Sequence, residues 1–125
     1  LRAGELELGE RATLVLDCVD LIPEGVVASY GDIAALVGTG PRQVGRIMST
    51  HGHLTFWWRV VCADGGSQVA GRALEHWDRE EISYRDADNP RVDMASHRIS
   101  DERCSEIAAA LADRYAENTC GKHLR

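Results

Sequence analysis

Three kinds of side chain in this 125-residue chain could do chemistry. Arg42 and Arg46 stand four apart in PRQVGRIM (41–48), a spacing that puts both guanidinium groups on one face of a helix. Trp57 and Trp58 stand side by side in TFWWRVV (55–61), in a chain with three tryptophans. Neighbouring side chains on a strand point to opposite faces, so one core can bury only one of this pair. The other is free for a second task, and an indole face stacks on a nucleic-acid base for about 1–3 kcal/mol. The third kind is the thiol. Cys18, Cys62, Cys104 and Cys120 are scattered, with no Cys-x-x-Cys pair and no Cys/His alternation at zinc spacing. Free or buried thiols are expected rather than disulfides or a metal site.

The net charge of −6 argues at first against a polyanionic partner, but its distribution does not. Residues 1–36 carry Arg2 and Arg11 against seven acids, and residues 73–125 carry eight basic groups against twelve acids. Between them, residues 37–72 carry Arg42, Arg46, Arg59 and Arg72 against Asp64 alone, a window of net +3. A basic face inside an acidic chain is the footprint of a nucleic-acid site, although four surface arginines would give the same count. No run approaches the ~18 apolar residues of a membrane span, and no signal peptide precedes the first element. The chain opens on Leu1 rather than methionine, which leaves room for residues ahead of it. A cytoplasmic monomer without cofactor is expected.

The elements that would position these groups are mainly helical. A helix is expected over 5–22, with Leu14, Leu16, Cys18, Val19, Leu21 and Ile22 inward, ended by Pro23-Glu24-Gly25. Ser29 and Asp32 form a capping-box pair for a helix from Tyr30 to Val37, stopped at Gly38. Pro41 opens a third helix to Thr50, with Val44, Ile47 and Met48 inward. Two short helices joined by a glycine turn, with arginines outward on the second, have the shape of a helix-turn-helix. A β-hairpin is expected over 59–69, turning at Asp64-Gly65-Gly66, as a wing. A helix over 73–84, a loop over 86–90 and a last helix from Ser100 complete the chain. That last helix places Ile107, Leu111 and Tyr115 on one face and closes at Gly121, packing on its own domain or on a partner. The reading is a winged helix-turn-helix domain over 1–84 and an extension with one amphipathic helix over 85–125.

Together, IPEGVVASYGDIAALVG (22–38), PRQVGRIM (41–48) and FWWRVVCADG (56–65) resemble the DNA-binding domain of the O6-alkylguanine-DNA alkyltransferases over residues 10–84. In that family a Pro-Cys-His-Arg motif precedes a valine pair, and the cysteine takes an alkyl group from a guanine flipped out of the duplex. Aligned on Arg59-Val60-Val61, the proline position is Phe56, the nucleophile position Trp57 and the histidine position Trp58. An indole offers no thiolate, so alkyl transfer is not expected. The chain is most similar to the alkyltransferase-like members, in which tryptophan replaces the cysteine and alkylated DNA is bound without repair. Those members usually keep the histidine.

The resemblance implies double-stranded DNA containing O6-alkylguanine as partner, with Tyr30, Arg42, Gly45 and Arg46 as its contacts. It makes Tyr30 the residue that presses on the phosphate beside the target, and Arg42 the finger that enters the minor groove and replaces the flipped base. Arg46 is expected on a phosphate. Gly45 admits two explanations, close approach of DNA or tight helix–helix packing. The lesion pocket falls on Trp57, Trp58, Arg59 and Arg72, with Trp58 read as structural and Arg59 as orienting the turn. Glu80 and Glu81 fall near an acidic position of the family, and a solvated helix end accounts for them. The implied function is a lesion sensor that hands its complex to nucleotide excision repair. A winged-helix regulator without lesion specificity is the alternative, and an enzyme working through Cys62 a third.

Overall fold

The computed structural model describes the backbone of residues 3–67, 69–86 and 88–123 and the side chains of 11–67, 69–86 and 88–114. Helix α1 (Ala3–Asp20) buries Ala12, Val15, Cys18 and Val19, and Ile22 is buried just past its end. This is an unbroken three- and four-residue stripe. Leu14, Leu16 and Leu21, expected on that face, flank it half-buried, because the small Ala12 and Cys18 hold the central positions.

The middle of the chain forms where local signals place it. Strand β1 (Ala28–Ser29) leads into α2 (Tyr30–Val37). The Ser29 hydroxyl accepts from the Asp32 amide and the Asp32 carboxylate from the Ser29 amide, each at 3.0 Å. Gly38 ends the helix at φ +75°, a conformation only glycine adopts freely. Helix α3 (Pro41–His51) follows, with Val44 and Ile47 buried against α1 and α2 and Arg42 and Arg46 exposed.

Two stretches differ from expectation. Trp57 and Trp58 lie in a 3-10 turn (Trp57–Arg59), not on a strand. Strand β2 (Val60–Val61) then pairs in parallel with β1, Ala28 opposite Val60 and Ser29 opposite Val61. Among the described residues of 59–69 no two strands pair as a hairpin. Val60 enters one core and Val61 the other, so β2 is covered on both faces and takes a long-range partner. The chain still turns at Asp64-Gly65-Gly66, with the Gly65 amide on the Cys62 carbonyl, then enters α4 (Ala70–Arg79), three residues before the expected start. The antiparallel hairpin lies further on, on either side of the loop expected over 86–90: β3 (Tyr84–Arg85) pairs with β4 (Arg91–Val92), and Arg91 bridges back to Gly66. A Cβ at Gly65 would strike the Val92 backbone, so this junction requires glycine.

Two cores result. The larger gathers α1, α2 and α3 with Ile99, Ile107 and Leu111; the smaller gathers Val27, Val61, Ala73, Trp77, Ile82 and Val92. After the single turn α5 (Met94–His97), helix α6 (Asp101–His123) folds back on α1 and α2 and runs past Gly121, expected to close it. The Val27 amide donates to the His97 carbonyl and the Ile99 amide to the Val27 carbonyl, at 2.9 and 2.7 Å. Arg98 makes a bidentate pair with Asp32, at 3.1 and 2.7 Å. The side chains of Tyr115 and Cys120 lie outside the described residues.

Candidate nucleic-acid interface

A cleft of about 410 Å³ opens between the helix-turn-helix and the turn that carries the tryptophans. Helix α2 contributes Tyr30, α3 contributes Gly45, Met48 and Ser49, and the 3-10 turn after α3 contributes Gly52 and His53. Trp57 and Val60 form the floor segment, and Ser67, Val69 and Arg72 close the far side. Among the described residues no acidic side chain lines it. Of the four arginines in the basic window of the sequence, Arg72 lines the cleft.

The α3 lining falls at 45, 48 and 49, one stripe of the helix. Arg42 lies one turn ahead on that stripe and does not line the cleft. Neither Arg42 nor Arg46 has an ion-pair partner among the described residues. Gly45 faces the cleft, and a Cβ there would meet nothing within 4 Å. Tight helix–helix packing therefore does not account for this glycine; the free space belongs to the cleft.

Tyr30 begins α2, half-buried. Among the described residues its hydroxyl has no hydrogen-bond partner, unlike a core tyrosine tied to the backbone. Burial, with the nearby Cys62 thiol, raises its pKa above 10.0, so the phenol keeps its proton as a donor at neutral pH.

Trp57 and Trp58 separate here. Trp57 lines the cleft, with the Arg72 guanidinium carbon 5.9 Å from its ring centroid. Arg72, fifteen residues further along the chain, is therefore brought beside Trp57. Trp58 and Arg59, assigned to the same pocket by sequence, do not line the cleft. The Trp58 indole Nε1 donates to Glu80 at 2.6 Å, and its ring stacks on His76 with centroids 3.9 Å apart and planes 9° off parallel. Arg59 is buried, paired with Glu80 at 2.7 Å, donating to the Ile22 carbonyl at 2.8 Å and lying 4.0 Å over the Phe56 ring. A 3-10 turn sends successive side chains about a third of a revolution apart, so one indole reaches the cleft and the next reaches α4.

His76 was not named from sequence, and Glu80 was named there with the wrong surroundings. Glu80 is no solvated helix end. Its carboxylate, 6 % exposed, accepts from Arg59, from Trp58 and from the Gly25 amide. Burial opposes its charge, but the hydrogen bonds from Arg59, Gly25 and Trp58 outweigh it and hold its pKa below 4.5. Glu81, by contrast, is exposed. The one available signal was spacing: Arg72, His76 and Glu80 recur every four residues and so share a face of α4.

The thiols are not gathered. Cys62 is half-buried and outside the cleft lining. Cys18 lies in the larger core, where burial, aided by Cys104, pushes its pKa up to about 12. Among the described residues no group of three or more His, Cys, Asp or Glu could hold a metal ion.

The 6-O-methylguanine DNA methyltransferase DNA-binding domain model matches residues 10–82. Two solved structures are similar in fold. S. pombe Atl1 in complex with damaged DNA containing O6-carboxymethylguanine is 29 % identical at a TM-score of 0.66, over 74 % of this chain and 96 % of that one. S. pombe ATL in complex with DNA is 26 % identical at a TM-score of 0.63, over 80 % and 99 %. No curated protein matches.

Proposed function

Because the chain belongs to the family of the 6-O-methylguanine DNA methyltransferase DNA-binding domain, we propose that it is a non-enzymatic sensor of O6-alkylguanine in double-stranded DNA. The cleft carries this reading. Trp57, which the alignment on Arg59-Val60-Val61 would put at the family's nucleophile position, lines it together with Tyr30, Gly45 and Arg72, and among the described residues no acidic group does. Its volume of about 410 Å³ lies inside the ~300–1,000 Å³ range of sites that enclose a small molecule, enough for a base with an adduct.

In this mechanism α3 enters the minor groove with Gly45 against the DNA backbone. Tyr30 donates its hydroxyl proton to the phosphate beside the lesion, Arg46 meets a second phosphate, and Arg42 fills the gap in the stack. Flipping costs a few kcal/mol, and stacking on Trp57 with a cation nearby offsets part of it. No alkyl group moves, because an indole has no thiolate to attack with. The complex then persists as a mark for nucleotide excision repair in the cytoplasm, with the chain acting as a monomer.

The test is a paired titration of one duplex sequence carrying guanine or O6-methylguanine. The modified duplex should bind at least about tenfold tighter, the scale of one stacking contact. Equal affinities would replace this reading with that of a winged-helix regulator blind to lesions. Mass measurement after incubation should find no adduct on Cys62.

A further inference from the structure

Helix α4 presents Arg72, His76 and Glu80 along one face to the two adjacent indoles. Glu80 holds Trp58 by its Nε1 at 2.6 Å, and Arg72 lies over Trp57. His76, between them, touches both. Its ring is parallel to Trp58 at 3.9 Å and nearly perpendicular to Trp57, with centroids 5.3 Å apart at 80°. Trp58 itself meets Trp57 at 5.7 Å and 88°. The two flat rings of Trp58 and His76 therefore form one plate, and Trp57 stands at a right angle to both its members.

We propose that His76 is a positioning residue for Trp57, which with Trp58 makes the plate that sets the angle of the cleft indole. This rests on the lesion-sensor reading. A ring that must stack on a base contributes most when its plane is already fixed, since the ordering cost is then met in the free protein. Trp57 follows Phe56 in a short 3-10 turn, and no hydrogen bond from its own Nε1 fixes it among the described residues. Edge-to-face contacts are what remain, and the two that Trp57 makes are with His76 and with its stacking partner Trp58. Arg72 cannot substitute, because a flexible cation above a ring attracts it without setting its tilt. An indole at position 58 needs a flat partner to stay edge-on to Trp57, and the imidazole supplies one.

His76→Ala and His76→Phe separate positioning from bulk stability. Each variant and the wild type are titrated with the guanine and O6-methylguanine duplexes, and their near-ultraviolet circular dichroism is recorded. His76→Ala should lower the modified-to-plain affinity ratio about three- to tenfold, the worth of an aromatic pair. It should also flatten the tryptophan bands. His76→Phe keeps a flat ring and should hold both the ratio and the bands near wild type. Equal losses on the two duplexes, or His76→Phe falling as far as His76→Ala, would overturn the proposal. A wild type that does not discriminate overturns the lesion reading instead. The spectra then decide the positioning role alone: bands kept in His76→Ala would end it.

Discussion

Arg59 and Glu80 meet at 2.7 Å with side chains 9 % and 6 % exposed. Twenty-one residues apart in sequence, they tie the tryptophan turn to the end of α4. Glu80→Ala would leave the guanidinium buried without its counterion, and also strip acceptors from Trp58 and the Gly25 amide. A loss of about 3–5 kcal/mol is expected, read as a lower urea midpoint with the slope retained. A shift below about 1 kcal/mol would mean that Arg59 finds water or another acceptor.

Acid should weaken the fold through the same pair and through Asp32, whose hydrogen bonds from Arg98 and Ser29 outweigh burial and hold it below 3.8. Both carboxyls are depressed in the folded state, so their contribution is complete above the unfolded values. It is lost as pH falls through the folded ones. Stability should therefore be flat in this respect near neutrality and decline below about pH 4.5. Urea melts from pH 7 to 3 measure it, and Glu80→Gln should flatten the decline. A decline as steep in that variant would assign it to other groups.

Arg42→Ala should reduce affinity for modified and plain duplex alike by about tenfold or more, and lower the salt slope by about one if a phosphate is involved. Arg79→Ala, at an exposed ion pair on α4, is the control. Equal effects of the two substitutions would place the DNA elsewhere than at the mouth of α3.

Trp57→Ala should act differently, costing the modified duplex about 1–3 kcal/mol and the plain one much less. The ratio of the two affinities is the measurement. Trp58→Ala, which removes a ring outside the cleft and half of the plate behind Trp57, should lower the melting temperature and reduce the ratio less than Trp57→Ala does. A reversal of the two phenotypes would reassign the pocket.

Cys18, with its pKa pushed up to about 12, should resist iodoacetamide at pH 8 in the folded chain and react once the chain unfolds, since the thiolate is the reacting form. Cys62, half-buried, should react first. Peptide mapping after timed alkylation gives the order.

The helix-turn-helix was legible because its signals are local. Ser29, Asp32, Gly38 and Pro41 each act within four residues, and α2 and α3 begin where those residues say. Strand β2 was not legible, because two valines before a glycine turn look the same whether their partner is the next strand or Ala28–Ser29. Glu80 looked solvated for a similar reason: only the distant Arg59 makes its burial tolerable. In the site, Tyr30, Gly45, Trp57 and Arg72 were named from sequence and share the cleft. Trp58 and Arg59 were placed with them by adjacency, whereas a 3-10 turn separates neighbours.

The segment 97–99 runs alongside Val27 and hydrogen-bonds both of its peptide groups. Val27 lies three residues before Tyr30, and Ile99, Ile107 and Leu111 complete the core under α2. A fragment trimmed to the matched residues 10–82 would open that core and leave the Val27 amide and carbonyl without partners, at about 1–3 kcal/mol for each buried group. The cooperative folding unit of this chain is thus larger than the matched residues 10–82. The C-terminal arm is part of the scaffold, so trimming it away should cost stability rather than yield a minimal DNA-binding fragment.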